Sequence, residues 1–221
     1  MNIRDFLIFI LLISHLSICS QDQQRYFEDQ FYLGLSYNSL GGKINEFKEN
    51  KFSYSINYGF IKDLPINKKR NYSFGLGIGL GHNTLNNNLS YSFFNNTSNF
   101  NFIENASSVK VNRYNYTELQ IPIELRWRNS SYNNYSFWRV YAGVRYSRII
   151  SSKYIFDDNI TINKTKEFPV NKNQLGVIIN IGYNTWNISV YQSIDNFFNY
   201  ENNPNLSGLK QFRLGFIFYI F

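Results

Sequence analysis

The stretch YTELQIPIELRWR, Tyr116 to Arg128, constrains the fold more than any other part of the chain. Glu118, Gln120, Glu124, Arg126 and Arg128 fall on one parity; Leu119, Ile121, Ile123, Leu125 and Trp127 fall on the other. A β-strand sends successive side chains to opposite faces, so this is a ribbon with a charged side and an apolar side. Its length suits the roughly 9–11 residues that a tilted strand needs to cross a bilayer.

The same alternation recurs along the chain. It is present in FYLGLSYN (Phe31 to Asn38), KFSYSINYGF (Lys51 to Phe60), YSFGLGIGLG (Tyr72 to Gly81) and FWRVYAGVRYS (Phe137 to Ser147). LGVIINIGY (Leu175 to Tyr183), WNISVYQSI (Trp186 to Ile194) and QFRLGFIFYIF (Gln211 to Phe221) complete a set of about eight strands. Their connections alternate in length. Those over Ser39 to Glu49, Asn83 to Asn115, Ser151 to Lys172 and Asp195 to Lys210 are long; DLPINKKR, NSSYNN and the NT between Tyr183 and Trp186 are short. That rhythm predicts an all-β fold, an eight-stranded antiparallel up-and-down transmembrane barrel with long loops outside and both termini in the periplasm. An open sheet edge cannot be satisfied in lipid, so the sheet must close. The composition shows no second block in the 221 residues, which suits one domain.

The start of the chain reads as an export signal. Arg4 precedes the apolar run FLIFILLISHLSI (Phe6 to Ile18), too short for a spanning helix. Cleavage beside Ser20 makes residues 1–20 a signal peptide and residues 21–221 the barrel. Lipoprotein processing at Cys19 is the alternative, with Ile18 where a small residue is wanted. Cys19 is the only cysteine. Its removal with the signal leaves no thiol, disulfide or cysteine metal site.

Trp127, Trp138 and Trp186 all sit beside short connections on the apolar parity, where an interfacial aromatic girdle at the periplasmic side belongs. The apolar rows therefore face lipid, and Glu118, Glu124, Arg126, Arg128, Arg139, Arg145 and Arg213 are structural charges of the lumen. Parity requires lumen residues opposed across the fourth and fifth strands to sum to an odd number. One allowed register sets Glu124 opposite Arg139 and Glu118 opposite Arg145, with a turn around Ser130 to Asn133. Arg126, Arg128 and Arg213 then stay in the lower lumen. Such a small barrel has just enough interior for side chains, so the charges read as a plug, with the glycine row of the third strand making room for Arg and Tyr. Pro122 points inward and predicts a bulge.

Other chemical signals are sparse. The glycines of GLGIGLG recur every second residue with no helix after them, which excludes a dinucleotide fingerprint. His82 is the only histidine after the signal segment, and a lipid A acyl-modifying site would require a serine and a carboxylate beside it. The formal charge of +7 is spread over turns such as Lys68 to Arg70 and points to lipid or lipopolysaccharide phosphate, with no nucleic acid partner. No cofactor, metal or catalytic residue is expected. The terminal aromatic strand ending at Phe221 resembles the signal read by the barrel-insertion machinery, one step out of phase.

The Y-x-E-L-x-I-P-I-E run, the following E-L-R-W-R and the F-W-R-x-Y-x-G strand resemble the PorT family of small outer-membrane barrels from Bacteroidetes. The resemblance extends over most of the mature chain. It implies a non-enzymatic component or assembly factor of the type IX secretion system, which exports proteins across the outer membrane and supports gliding motility. It implies other type IX components as partners and carries over no catalytic residues. Two other readings stand beside it: a surface barrel whose loops, above all Asn83 to Asn115, bind a ligand or host, and a lipid-modifying enzyme around His82.

Overall fold

The structure, a computed structural model, describes residues 29–42, 44–94, 97–104, 109–129, 137–158, 162–199 and 206–220. The expected signal segment with Cys19, the turn expected around Ser130 to Asn133, and Phe221 lie outside the described residues.

Eight long antiparallel strands form the wall: β1 (Asp29–Gly41), β2 (Tyr54–Pro65), β3 (Tyr72–Asn86), β6 (Val111–Arg128), β7 (Trp138–Asp157), β9 (Asn173–Tyr183), β10 (Trp186–Asn196) and β11 (Lys210–Ile220). Each pairs with its sequence neighbour in the wall, and β1 pairs with β11, so the sheet closes on itself without a free edge. Three shorter strands extend the end that carries the long connections. β4 (Leu89–Phe94) and β5 (Thr97–Phe102) form a hairpin of their own, while β8 (Ile162–Lys166) takes the place of β9 beside the long-connection end of β7. At the opposite end Asn184 makes the tight β9–β10 turn with a φ of 54°, a left-handed conformation that asparagine tolerates better than most residues.

Burial alternates along the strands. Glu124, Arg145, Asn180 and Arg213 are buried inside, while Leu76, Leu125, Val144, Ile179 and Phe216 are exposed on the outer wall. Apolar side chains on the outside and polar ones within are the reverse of a soluble barrel and the pattern of a wall solvated by hydrocarbon.

Three boundaries differ from the sequence expectation. The strand expected over Lys51 to Phe60 begins at Tyr54 and runs on through Asp63 and Leu64, which had the look of a turn before Pro65. The long connection expected over Asn83 to Asn115 is largely strand: β3 continues to Asn86, the β4–β5 hairpin follows, and β6 starts at Val111. The one expected from Ser151 starts only after Asp157.

The expected register of the opening stretch is also replaced. Arg128 lies opposite Arg139, Glu124 opposite Gly143 and Pro122 opposite Arg145, and Glu118 faces Ile149 instead of Arg145. Parity is kept and the offset is not: the partner of each of these β6 residues lies four positions further along β7, and the last described contact on the short-connection side is the Asn129 N–H donating to the Trp138 carbonyl at 2.9 Å. Nor does Pro122 make a bulge. The β3–β6 register is the same on both sides of it, with Leu76 opposite Ile123 and Gly79 opposite Gln120. Proline's missing donor interrupts the ladder there, and the facing Gly77 admits the ring, since a Cβ on it would stand 3.0 Å from Pro122 Cγ. The irregularity lies higher, where Thr117 pairs with Ser151 and Glu118 with Ile149, leaving Ile150 as the extra residue.

Candidate functional site

The interior of the barrel is filled in two chemical layers. The lower layer, toward the short connections, is ionic. β2 ends by placing Asp63 inside with no solvent exposure. Arg126 Nη1 forms a short ion pair with Asp63 Oδ1, Arg128 Nη1 lies 3.2 Å from Oδ2, and Ser73 Oγ donates to Oδ2 at 3.3 Å. Arg126 Nε also lies 3.1 Å from Glu124 Oε2, two residues back on the same face of β6. Its guanidinium carbon sits 3.9 Å from the Tyr141 ring centroid and 5.0 Å from that of Tyr219. Asn180 Nδ2 donates to Glu124 Oε1 at 3.3 Å and to the Tyr219 hydroxyl at 3.2 Å.

Above this, Glu118 Oε1 takes Arg213 Nη1 at 2.6 Å and Gln120 Nε2 at 2.6 Å. Gln120 Nε2 also donates to Asn57 Oδ1 at 2.8 Å, which ties β6 to β2 across the lumen. The carboxylates therefore meet guanidinium groups along their own strand or across the lumen, and not on the neighbouring strand β7. Arg145 rests over Tyr191, 5.3 Å from its centroid, and Arg139 over Phe137 at 4.6 Å. Among the described residues neither forms an ion pair. Among the described residues, the buried interior holds five arginines against three carboxylates.

Glycine makes the space. A Cβ at Gly75 would stand 2.7 Å from Arg126 Cδ, and one at Gly79 would collide with the Tyr32 hydroxyl. The large side chains thus fill a cylinder whose facing wall has none.

The upper layer is aromatic. Gln211 Nε2 donates to Asn38 Oδ1 at 3.0 Å and, in a short contact, to the Tyr116 hydroxyl, forming the boundary between the layers. Beyond it Tyr114, Tyr116, Tyr154, Phe168, Phe197 and Phe198 pack with Leu85, Leu89, Leu206 and Leu209 into one buried cluster. Ring centroids lie 4.7 Å apart for Tyr114 and Tyr154, and 5.0 Å for Phe197 and Phe198. The Tyr114 hydroxyl donates to the Leu89 carbonyl at 2.8 Å, and the Tyr154 hydroxyl to Asn112 Oδ1 at 2.7 Å. Burial pushes the Tyr154 phenol, which stands above the apolar wall, up to about 12.

The seven charged residues expected in the lumen are buried in the structure, and sequence reasoning missed both Asp63 and the aromatic layer. Asp63 shares the odd parity of Ser53, Ser55 and Asn57, which was the available signal. Tyr114 and Tyr116 share the parity of Glu118.

On the outer wall Trp138 and Trp186 are exposed and Trp127 half-exposed, all at the short-connection end. Trp138 packs against Tyr183 at 5.3 Å, and Trp186 against Phe218 at 5.3 Å. Lys68 and Lys69 are exposed at that same end. His82 faces outward. Its Nε2 lies 3.2 Å from the Tyr58 hydroxyl and its Nδ1 3.1 Å from Thr117 Oγ1, so two hydroxyls and no carboxylate neighbour it among the described residues. No cluster of His, Cys, Asp and Glu among the described residues could hold a metal.

No curated protein matches the chain. The crystal structure of Ail, the attachment invasion locus protein of Yersinia pestis, is similar at 11% identity and a TM-score of 0.37, covering 86% of this chain and 97% of that one. The structure of Ail in complex with the heparin analogue sucrose octasulfate gives 10% identity with the same TM-score and coverage. The family described as outer membrane protein beta-barrel domain matches over residues 19–199. With a closed eight-stranded wall, an apolar exterior and that match over most of its length, the chain belongs to the outer membrane protein beta-barrel domain family.

Proposed function

We propose that this barrel is a non-enzymatic outer-membrane scaffold that works through its rims and outer surface, and that it serves as a PorT-like component or assembly factor of type IX protein secretion. The observation that carries the first half is the filled interior. Arg126, Arg128, Arg213, Tyr114, Tyr141, Tyr191, Phe197 and Phe198 are among the largest fully buried side chains and together occupy both layers of the lumen. A cylinder packed in this way leaves a solute no path, so its work must be done on its surfaces. The second half rests on the resemblance of the β6–β7 hairpin to that family. In the same reading residues 1–20 are removed on export, the barrel-insertion machinery places the remainder, and the long connections face the exterior.

Two experiments test it. The purified protein in planar bilayers should show no conductance steps; stable open-channel steps would overturn the closed scaffold. Deletion of the gene should abolish export of type IX cargo while leaving lipid A unchanged. Normal export would overturn the secretion role; joined to lost adhesion it favours a surface binder, and joined to altered lipid A acylation it favours an enzyme around His82.

A further inference from the structure

The outward face of β6, β7 and β8 above the apolar wall carries a cationic array whose members form no ion pair among the described residues. The lipid-facing wall in this sector ends at Leu119, Tyr146 and Ile150, with Thr117 opposite Ser151 as its upper border; one cation already stands below that border, the exposed Arg148 opposite Leu119, whose Nη1 lies 3.5 Å from Asn173 Oδ1. The next outward row is Asn115, Lys153 and Lys166; the row after it is Arg113, Ile155 and Lys164. These side chains share one face, because Tyr154, which lies between Lys153 and Ile155 on the strand, is buried inside. Lys153, Lys164 and Lys166 are exposed, and Arg113 is half-buried with its Nε donating to Asn86 Oδ1 at 3.1 Å. Asp157, paired with Ile162, is the one carboxylate on this face of the paired rows and lies at its far edge.

Lys153 stands directly opposite Lys166 on the adjacent strand. Like charges opposed across a ladder destabilise it unless an anion sits between them. Successive outward residues rise about 7 Å along a strand, or about 5 Å along the membrane normal once the strand tilt is counted, so the two cation rows stand roughly 5 and 10 Å above the Thr117 row. The lower row lies within a headgroup layer about 5–8 Å deep, and the lysine stems of the upper row can reach down toward it.

We propose that this face binds a phosphate-bearing lipid of the surrounding leaflet, with phosphate held among Lys153, Lys166, Lys164 and Arg113 and acyl chains laid against Leu119, Tyr146 and Ile150. The proposal takes the rim of the long connections as the outer one, as in the function above, and otherwise stands apart from any role in secretion. It differs from the expectation drawn from Lys68 to Arg70, which lie at the other end of the barrel.

Native mass spectrometry of the full barrel in neutral detergent tests it, with diphosphorylated lipid A, its dephosphorylated form and inorganic phosphate as separate probes. The wild type should retain diphosphorylated lipid A, and the variant R113Q/K153Q/K166Q should bind it roughly a hundredfold more weakly, about fivefold for each cation removed. The outward glutamines should leave the heat-modifiable folded band intact. K68Q/K69Q should bind as the wild type does. Equal retention by the triple variant, equal retention of the dephosphorylated lipid, or loss in K68Q/K69Q would each overturn the proposal. Saturation by inorganic phosphate alone at the lipid's own concentration would replace the lipid with a free anion. None of these outcomes depends on export, so a failed secretion phenotype and a failed lipid site are read separately.

Discussion

The two layers of the interior lie on the same inward parity and are built from opposite chemistry. Below Gln211 the lumen is guanidinium, carboxylate and phenol; above it, tyrosine and phenylalanine rings pack with leucines. The outer wall changes in the reverse sense. Next to the ionic layer it is mostly Leu, Ile, Val, Phe and Tyr, with Lys62 and Arg148 as exceptions, whereas next to the aromatic layer it is Thr117, Asn115, Arg113 and Lys153. The membrane explains the exchange. Where hydrocarbon solvates the outside, apolar residues are taken up there, and the inside can hold charges only if they neutralise one another. Where water solvates the outside, the barrel reverts to the arrangement of a soluble fold, with rings inside and charges out. The two layers should therefore fail in different ways.

The largest effect is expected at Asp63, the β2 carboxylate that Arg126 and Arg128 share. Asp63→Ala leaves two buried guanidinium groups without their shared partner and should cost about 3–5 kcal/mol. The loss should appear in unfolding of the whole barrel in micelles and should be insensitive to salt, because the site is dry. A change under about 1 kcal/mol, the range of an exposed ion pair, would mean that water reaches this layer. In the aromatic layer Phe198→Ala should cost about 3 kcal/mol, the lower end for a buried ring. Here the effect should be local. Limited proteolysis should open the long connections while the wall keeps its folded band. Loss of both together would join the layers into one cooperative unit.

Much of this contrast was legible in the sequence and part was not, for reasons that particular residues make plain. Alternation in the Tyr116 to Arg128 stretch fixed the strand and its two faces because a period of two survives any register. The register itself stayed open: parity allows Glu124 opposite Arg139 and Gly143 alike, and the choice depends on how far pairing runs toward a connection that has no local signal. Asp63 was hidden by Pro65 and the basic turn behind it, which read as the end of the strand. The outer parts of β6 and β7 were hidden by the exchange of faces. In VNRYNYTE the inward tyrosines continue the parity of Glu118, but a search for an apolar outer row loses the strand where that row turns to Thr117, Asn115 and Arg113. Tertiary solvation, and not local propensity, decides which parity is greasy at each height.

A smaller effect separates charge from shape within the ionic layer. Glu118→Gln keeps the volume and the hydrogen bond from Gln120 within reach, but removes the charge that meets Arg213. The expected loss is about 1.5–3 kcal/mol in micellar unfolding. Adding Arg213→Met should recover part of it, because the second substitution removes the charge that the first left unpaired. If the double variant is instead less stable by the sum of the two single losses, the pair is not coupled and the ionic layer is held by packing alone.

The smallest effect concerns one hydroxyl of the aromatic layer. Tyr154 donates to Asn112 Oδ1 at 2.7 Å, and Asn112 Nδ2 in turn donates to the Asn87 carbonyl at 2.7 Å and that of Leu89 at 2.9 Å. Tyr154→Phe keeps the ring against Tyr114 and should cost about 1 kcal/mol, as a single neutral hydrogen bond does. The same hydroxyl gives the layer a pH limit. Its pKa is raised from near 10 in the unfolded chain to about 12 in the fold. Above pH 10 the unfolded state releases this proton while the folded state keeps it, so the contribution of Tyr154 is complete below pH 10 and lost as the pH rises through 12. Proteolysis of the long connections should therefore accelerate between pH 10 and 12 in the wild type. Tyr154→Phe should start from a looser cap and show a shallower rise, with Tyr114 left to supply the remainder. An identical pH profile in the two proteins would place the limit elsewhere in the cluster.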